Sequence, residues 1–393
     1  PPPAGPPPLA MQRATASALL ASCHAPAHGR LAAARPLPLR RLWTRCLPRG
    51  QQQVPISGAC RRLSFGRLGA GSAALLCAAR SLRRAATCEE AAGTPKEEAC
   101  TVPLASRHEE ADGGSTGCAV VLVHGLDSWR GTWTTAAGEL ARRGVPTLAV
   151  DLRGHGESPL GKPEDFGPRQ LAADIRAAVS SAGLLEAGAR VVLVGHSMGG
   201  RVAMRYAAEY PEDLAALVIE DMDCVPRVYP ALSEGELERR RAFSRDFPSW
   251  PACRAELISF GYDAARVDGW CSENPPRAFP LGDGSKGFWS AVNPYAQHLA
   301  RQTVLSSEDG LEAMQRVAAH RVAGGRADLA VHVLVAGSED TVCSWDAFPG
   351  GVHDMGAVVP GLQASAFPGA RHSIHNSMVR DFVDAIAAIA ARG

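Results

Sequence analysis

Residues 190–211 read RVVLVGHSMGGRVAMRYAAEYP, and this stretch decides the class of fold. Val191 to Val194 are four consecutive apolar, mostly β-branched residues, the pattern of a strand buried on both faces. From Arg201 the spacing becomes helical, and it stops at Pro211. Between strand and helix stands Gly195-His196-Ser197-Met198-Gly199, followed by Gly200. Gly-x-Ser-x-Gly in that context is a nucleophile elbow. The serine must occupy a sharp, strained turn for its hydroxyl to project above the sheet. Flanking glycines let strand and helix pass closely without a Cβ clash. Ser197 is therefore the candidate nucleophile.

Working outward, the same alternation continues on both sides. Apolar runs at 118–125 (CAVVLVHG), 146–154 (PTLAVDLRG), 214–221 (LAALVIED) and 330–337 (AVHVLVAG) read as further buried strands. Helical stretches lie between them, at 131–144 and 169–183. Alternating β and α units predict an open, mostly parallel sheet flanked by helices. Residues 222–325 break the rhythm with prolines, aromatics and charged helical pieces. They read as an insertion between two sheet strands, with a mainly helical cap over 226–325. The expected division is 1–100 leader and linker, 101–225 first part of the core, 226–325 cap, and 326–393 last part of the core.

A serine hydroxyl is a weak nucleophile until a base takes its proton. His372, in Gly369-Ala370-Arg371-His372, follows LQASAFPGA, the expected last strand and its exit loop. It is the candidate base, ahead of His375 one turn on. The imidazole needs a carboxylate to fix its tautomer. Asp340, in the loop after 330–337, fills that role in the expected chain order Ser197, Asp340, His372. Glu339 is its neighbour, and Glu220, Asp221 and Asp223 are the fallback acids. The backbone N–H groups of Leu126 and Met198 are the candidate oxyanion donors. His124, and His155 and Ser158 of the Asp151–Ser158 stretch, read as structural. Trp129 and Trp133 beside the oxyanion loop, and Trp289 in the cap, are candidates to line an acyl or alcohol pocket.

Composition narrows the partners. The 393-residue chain has a net charge of +1, but the charge is uneven. Residues 1–88 hold 13 Arg and no Asp, Glu or Lys, whereas 101–393 hold 27 basic and 36 acidic residues. An acidic body argues against a nucleic-acid partner. The acid-free, Arg-rich leader has the profile of a mitochondrial or plastid transit peptide. Its apolar run 68–79 is too short to span a bilayer, which takes about 20 residues. The 11 cysteines include no Cys-x-x-Cys pair and read as reduced thiols, neither a zinc set nor a disulfide framework. No metal or organic cofactor is implied.

These residues together resemble the α/β-hydrolase superfamily, and within it the small-esterase branch of the abhydrolase-domain protein 11 type with its bacterial relatives. The resemblance rests on His124-Gly125-Leu126, DLRGHGES at 151–158, GHSMGGRVAMRYAAEYP from Gly195, LVIED at 217–221, GSED at 337–340 and GARHSIHN from Gly369. It covers about residues 102–390. It implies an α/β-hydrolase fold and a serine hydrolase of carboxylic esters or thioesters working through an acyl-enzyme. A lyase or carbon–carbon bond hydrolase on the same triad is the rival enzyme. A triad-retaining small-molecule receptor with little turnover is the rival from another class, and contact with a lipid surface is a further expectation. Two departures stand out. Arg371 replaces a small residue before the histidine, where a large cation narrows the site, and 344–362 is unusually Gly-rich.

Overall fold

A computed structural model describes residues 100–393, apart from 116, 274–276, 281–285, 324, 325 and 327. The expected transit peptide, its apolar run and most of the linker lie outside the described residues.

Seven strands form the main sheet: β1 (Ser106–Glu109), β2 (Val120–Val123), β3 (Thr147–Val150), β4 (Val191–His196), β5 (Leu214–Glu220), β9 (Ala330–Ala336) and β10 (Gln363–Phe367). Their order is β1-β3-β2-β4-β5-β9-β10. Only β1 runs antiparallel, against β3; the other neighbours are parallel. Every residue of β2, β3, β4 and β5 is buried, as their unbroken apolar runs require. The two-residue period of a strand divides them between two cores. Val121, Val123 and Leu193 join the helices Pro168–Ser181, Met198–Glu209 and Asp309–Val322 on one face. Val120, Leu122 and Val194 join the helices Thr134–Ala141 and Val379–Ala390 on the other. In the last of these, Phe382, Val383, Ile386, Ile389 and Ala390 fall on one helical stripe and are buried. Truncating Phe382 to Ala would cost about 3–5 kcal/mol.

Two elements depart from the sequence expectation. Strand β1 lies ahead of 118–125, the first apolar run read as a strand. Three of its four residues are exposed, so it carries no hydrophobic alternation to read. The cap holds the expected helices, but also a small antiparallel sheet of β6 (Asp246–Phe247), β7 (Arg277–Pro280) and β8 (Lys286–Trp289), in the order β6-β8-β7. Strands of two to four residues are too short to show a period. Phe288, paired across from Phe247, packs with Cys253, Leu257 and Val267 in a separate small core.

The Asp151–Ser158 stretch is structural, as expected. The Asp151 carboxylate accepts from the Arg130 and Glu157 N–H groups at 2.6 and 2.8 Å. Arg153 forks onto Asp174 at 2.6 and 2.8 Å with both side chains fully buried. No helix among the described residues is long and apolar enough to cross a membrane.

Candidate active site

β4 ends in the elbow. Ser197 has φ 52° and ψ −122°, a strained conformation for a residue with a side chain. Glycine is obligatory on both sides of it. A Cβ on Gly195 would lie 2.3 Å from the Gly199 carbonyl oxygen, and one on Gly199 would lie 2.5 Å from that of His124. The Ser197 N–H donates to the Glu220 carbonyl at 2.9 Å, which ties the turn to β5. The strain is thus held by backbone packing rather than by the serine side chain, which is left to face a cavity.

That cavity has a volume of about 950 Å³. Its walls include Gly125 to Ser128 after β2, His196 and Ser197, and Met222, Arg227 and Tyr229 after β5. Ala265, Arg266 and Gly269 of the cap, then Arg301 and Leu305, close another side. Asp340, Val342 and Arg371 to Ser373 complete the rim. The structure therefore brings Ser197, His372 and Leu126 to one cavity, under the cap. Among the described residues, neither the Leu126 nor the Met198 backbone N–H is claimed by an acceptor of the protein. Both remain available to an oxyanion. His155 sits behind this loop with Nε2 3.1 Å from the Leu126 carbonyl, and His124 Nδ1 donates to the Gly125 carbonyl at 2.7 Å. Burial lowers the pKa of His155 to about 3 and of His124 to about 4, so both rings are neutral scaffolding at pH 7.

The acid differs from the sequence expectation. His372 Nδ1 donates to Asp221 Oδ2 at 2.7 Å, not to Asp340. The Asp221 carboxylate is fully buried and also accepts from the Ala336 N–H at 2.9 Å, the Thr341 hydroxyl at 2.6 Å and the Val342 N–H at 3.2 Å. Four donors converge on it, which fixes it as a rigid acceptor for one ring nitrogen. Asp340 instead accepts from the His372 backbone N–H at 3.0 Å, from Ser338, and from Arg371 at 3.4 Å. Burial would raise its pKa, but those three donors hold it below the usual carboxylate value. Asp340 thus orients the His372 loop and not the His372 ring. Physically, β5 is the immediate neighbour of β4, so a residue at its end stands one strand from the elbow. Arg371 lies at the rim with its side chain 77% exposed and does not displace His372.

A second pair sits directly behind the first. His375 Nδ1 donates to Glu220 at 2.8 Å, and its backbone N–H reaches the same carboxylate at 2.8 Å. Its Nε2 accepts from the Thr132 hydroxyl at 2.9 Å, which in turn takes a hydrogen bond from Asn376. Trp133 lies against the ring, tilted, with centroids 4.0 Å apart. His196, Glu220 and His375 each offer a ligand atom within 4.8 Å of the others, all buried, the spacing of a metal site. Both His375 nitrogens are already engaged, so this group acts as a hydrogen-bonded support.

The three tryptophans do not line the cavity. Trp133 is fully buried in the core between His375 and Phe382. Trp129 packs edge-on against Trp289 at 6.5 Å, and Trp289 lies under Arg245 at 4.0 Å. They fasten the cap to the oxyanion loop. Arginines line much of the cavity where aromatics were expected. Arg371 stood out in the sequence by its place before His372, but no motif marks out the other three, Arg227, Arg266 and Arg301.

Comparison with known proteins agrees with this geometry. Residues 120–385 match the model of the alpha/beta hydrolase family. Mouse sn-1-specific diacylglycerol lipase ABHD11 is 34% identical over 131 residues, covering 33% of this chain and 41% of that protein. N-formylmaleamate deformylase of Pseudomonas putida is 39% identical over 108 residues, covering 28% of this chain and 38% of that protein. The matched stretches thus span less than half the length of either relative. A marine microorganism esterase has the same fold, with a TM-score of 0.51 at 20% identity, over 74% of this chain and 100% of its own. By its elbow, its sheet and the match over most of its length, the chain belongs to the alpha/beta hydrolase family.

Proposed function

We propose that this hydrolase cleaves carboxylic esters or thioesters through an acyl-enzyme on Ser197. The observation that carries the reading is the Asp221–His372 hydrogen bond set beside a strained elbow serine in one cavity. Asp221 holds the proton on Nδ1, so Nε2 keeps its lone pair. Nε2 takes the Ser197 proton as Oγ bonds to the substrate carbonyl carbon. The negative charge moves to the carbonyl oxygen, which the Leu126 and Met198 N–H groups receive. Collapse breaks the bond to the leaving alcohol or thiol, which takes the proton from Nε2. Water then gives a proton to Nε2, attacks the acyl-serine carbonyl and releases the acid, and Ser197 recovers its proton. The relatives named as a lipase and an esterase support an ester over the rival carbon–carbon and receptor readings.

The test is hydrolysis of p-nitrophenyl esters from acetyl to lauroyl by the full chain beside Ser197→Ala. The expected result is turnover that falls by roughly 10,000-fold or more in the variant. A folded chain that turns over no ester, or whose turnover survives Ser197→Ala, overturns the reading.

A further inference from the structure

The cavity holds a cation whose hydrogen-bonding capacity is unspent. Four arginines line it: Arg227, Arg266, Arg301 and Arg371. Three are committed. Arg227 reaches Asp223 at 2.7 Å and the carbonyls of Val225 and Val342 at 2.6 Å. Arg266 pairs with Asp127, and Arg371 pairs with Asp340. Arg301 differs. Its side chain is 21% exposed, and its guanidinium makes no hydrogen bond among the described residues. Its nearest carboxylate oxygen is Asp127 Oδ1 at 3.9 Å. That carboxylate already serves Arg266 and the Gln297 amide at 2.7 Å. Tyr229 offers Arg301 its ring face at 5.8 Å, and the Tyr229 hydroxyl likewise has no hydrogen-bond partner among the described residues. The Asp221 charge lies behind the His372 ring and is met by its own four donors.

The backbone at Arg301 points the same way. The helix Pro294–Ala300 continues into a π-helical turn, Arg301–Leu305. The wider turn is pinned at the Arg301 carbonyl by the Ser306 N–H at 3.0 Å and the Ser306 hydroxyl at 2.7 Å. The Leu305 carbonyl accepts from the Arg227 N–H at 2.7 Å. π turns are uncommon and concentrate at functional sites. A planar fork with five N–H donors, poorly paired and partly desolvated, is built to take a carboxylate on two oxygens.

We infer that Arg301 is a specificity residue that binds a carboxylate carried by the substrate, so that the preferred esters are half-esters of dicarboxylic acids or similar singly charged esters. This rests on the ester-hydrolase reading of Ser197 and adds to it the class of substrate. One unspent guanidinium matches one negative charge, which favours a carboxylate over a doubly charged phosphate.

The test pairs monoethyl adipate with its neutral counterpart ethyl hexanoate, following ethanol release by the full chain, and repeats both with Arg301→Gln. The expected result is a kcat/KM favouring the half-ester, carried by KM and weakened by added salt. Arg301→Gln should lower the ratio of the two kcat/KM values by about tenfold, and Arg301→Lys should recover part of it. A second measurement stands apart from turnover. Calorimetry of monoethyl adipate on the Ser197→Ala chain should show salt-sensitive binding that Arg301→Gln weakens by a similar factor. Equal kcat/KM for the two esters, an unchanged ratio in Arg301→Gln, or inhibition by inorganic phosphate stronger than by acetate at equal ionic strength would overturn the inference. If no ester is turned over, the hydrolase reading falls while the binding result still decides this one.

Discussion

At the end of β5 two neighbouring carboxylates serve two histidines that stand three residues apart. Asp221 takes Nδ1 of His372, and Glu220 takes Nδ1 of His375. The bond lengths are 2.7 and 2.8 Å, so the hydrogen bonds themselves do not separate the two pairs. What separates them is the other ring nitrogen. The His372 side chain is 25% exposed and lines the cavity with Ser197. The His375 side chain is fully buried, its Nε2 is closed by Thr132 and its face by Trp133. Under the proposed function, one acid–histidine pair moves protons and the other holds a loop. A carboxylate beside an imidazole says little about catalysis until the fate of its far nitrogen is known.

The sharpest way to break this distinction is to remove each histidine. His372→Ala should lower ester kcat by roughly 10,000-fold and, because the buried Asp221 carboxylate keeps three of its four donors, shift the unfolding midpoint less than His375→Ala does. His375→Ala should do the reverse. It removes the Nδ1 donor of the buried Glu220 carboxylate, which keeps only the backbone N–H of residue 375, at a cost of about 1–3 kcal/mol in denaturant unfolding, with a far smaller loss of kcat in the folded fraction. Similar losses of kcat in both would erase the distinction.

The acids give the next test. Asp221→Asn should lower kcat by roughly 10,000-fold, because the amide can present an N–H to Nδ1 and so select the wrong tautomer. Asp340→Asn keeps an oxygen for the His372 backbone N–H but loses the charge facing Arg371, and should cost less than about tenfold, within the range of one charged hydrogen bond. Kinetics on a single p-nitrophenyl ester decides it, and a larger effect at Asp340 would restore the acid expected from the sequence.

That misassignment shows where sequence reading stops. The elbow was legible because its signature is a local run between a strand and a helix: Gly195 is dictated by Gly199 four residues on, although Gly199 itself is dictated by the distant Val123 and His124 carbonyls. The parallel sheet was legible because strands buried on both faces leave unbroken apolar runs. The acid was not legible in the same way, because Glu220, Asp221 and Asp340 all follow strands that reach the same edge of the sheet. The choice among them depends on strand order, with β5 between β4 and β9, and no local pattern encodes that order. The run Glu220-Asp221-Met222-Asp223 was the available signal, since acids crowded at the end of a buried strand need partners. The tryptophans misled for the converse reason. A large aromatic near a site packs as readily behind it as into it, and Trp133 went behind.

The smallest effect concerns the other buried histidines, and it sharpens the contrast with the accessible His372. Burial lowers the pKa of His124 to about 4 and of His155 to about 3, and holds that of His196 well below its ordinary value. In the unfolded chain each ring takes up a proton near pH 6.5. Between pH 6.5 and about 4, therefore, the unfolded state binds protons that the folded state refuses, and stability falls as the pH falls. For His124 alone the loss between pH 6.5 and 5 is on the order of 2 kcal/mol. The measurement is denaturant unfolding across that range, and His124→Gln should flatten the slope even though it lowers stability at pH 7. An unchanged slope would mean that His124 takes up its proton in the folded protein, and that the oxyanion loop is open to water in a way its burial does not suggest.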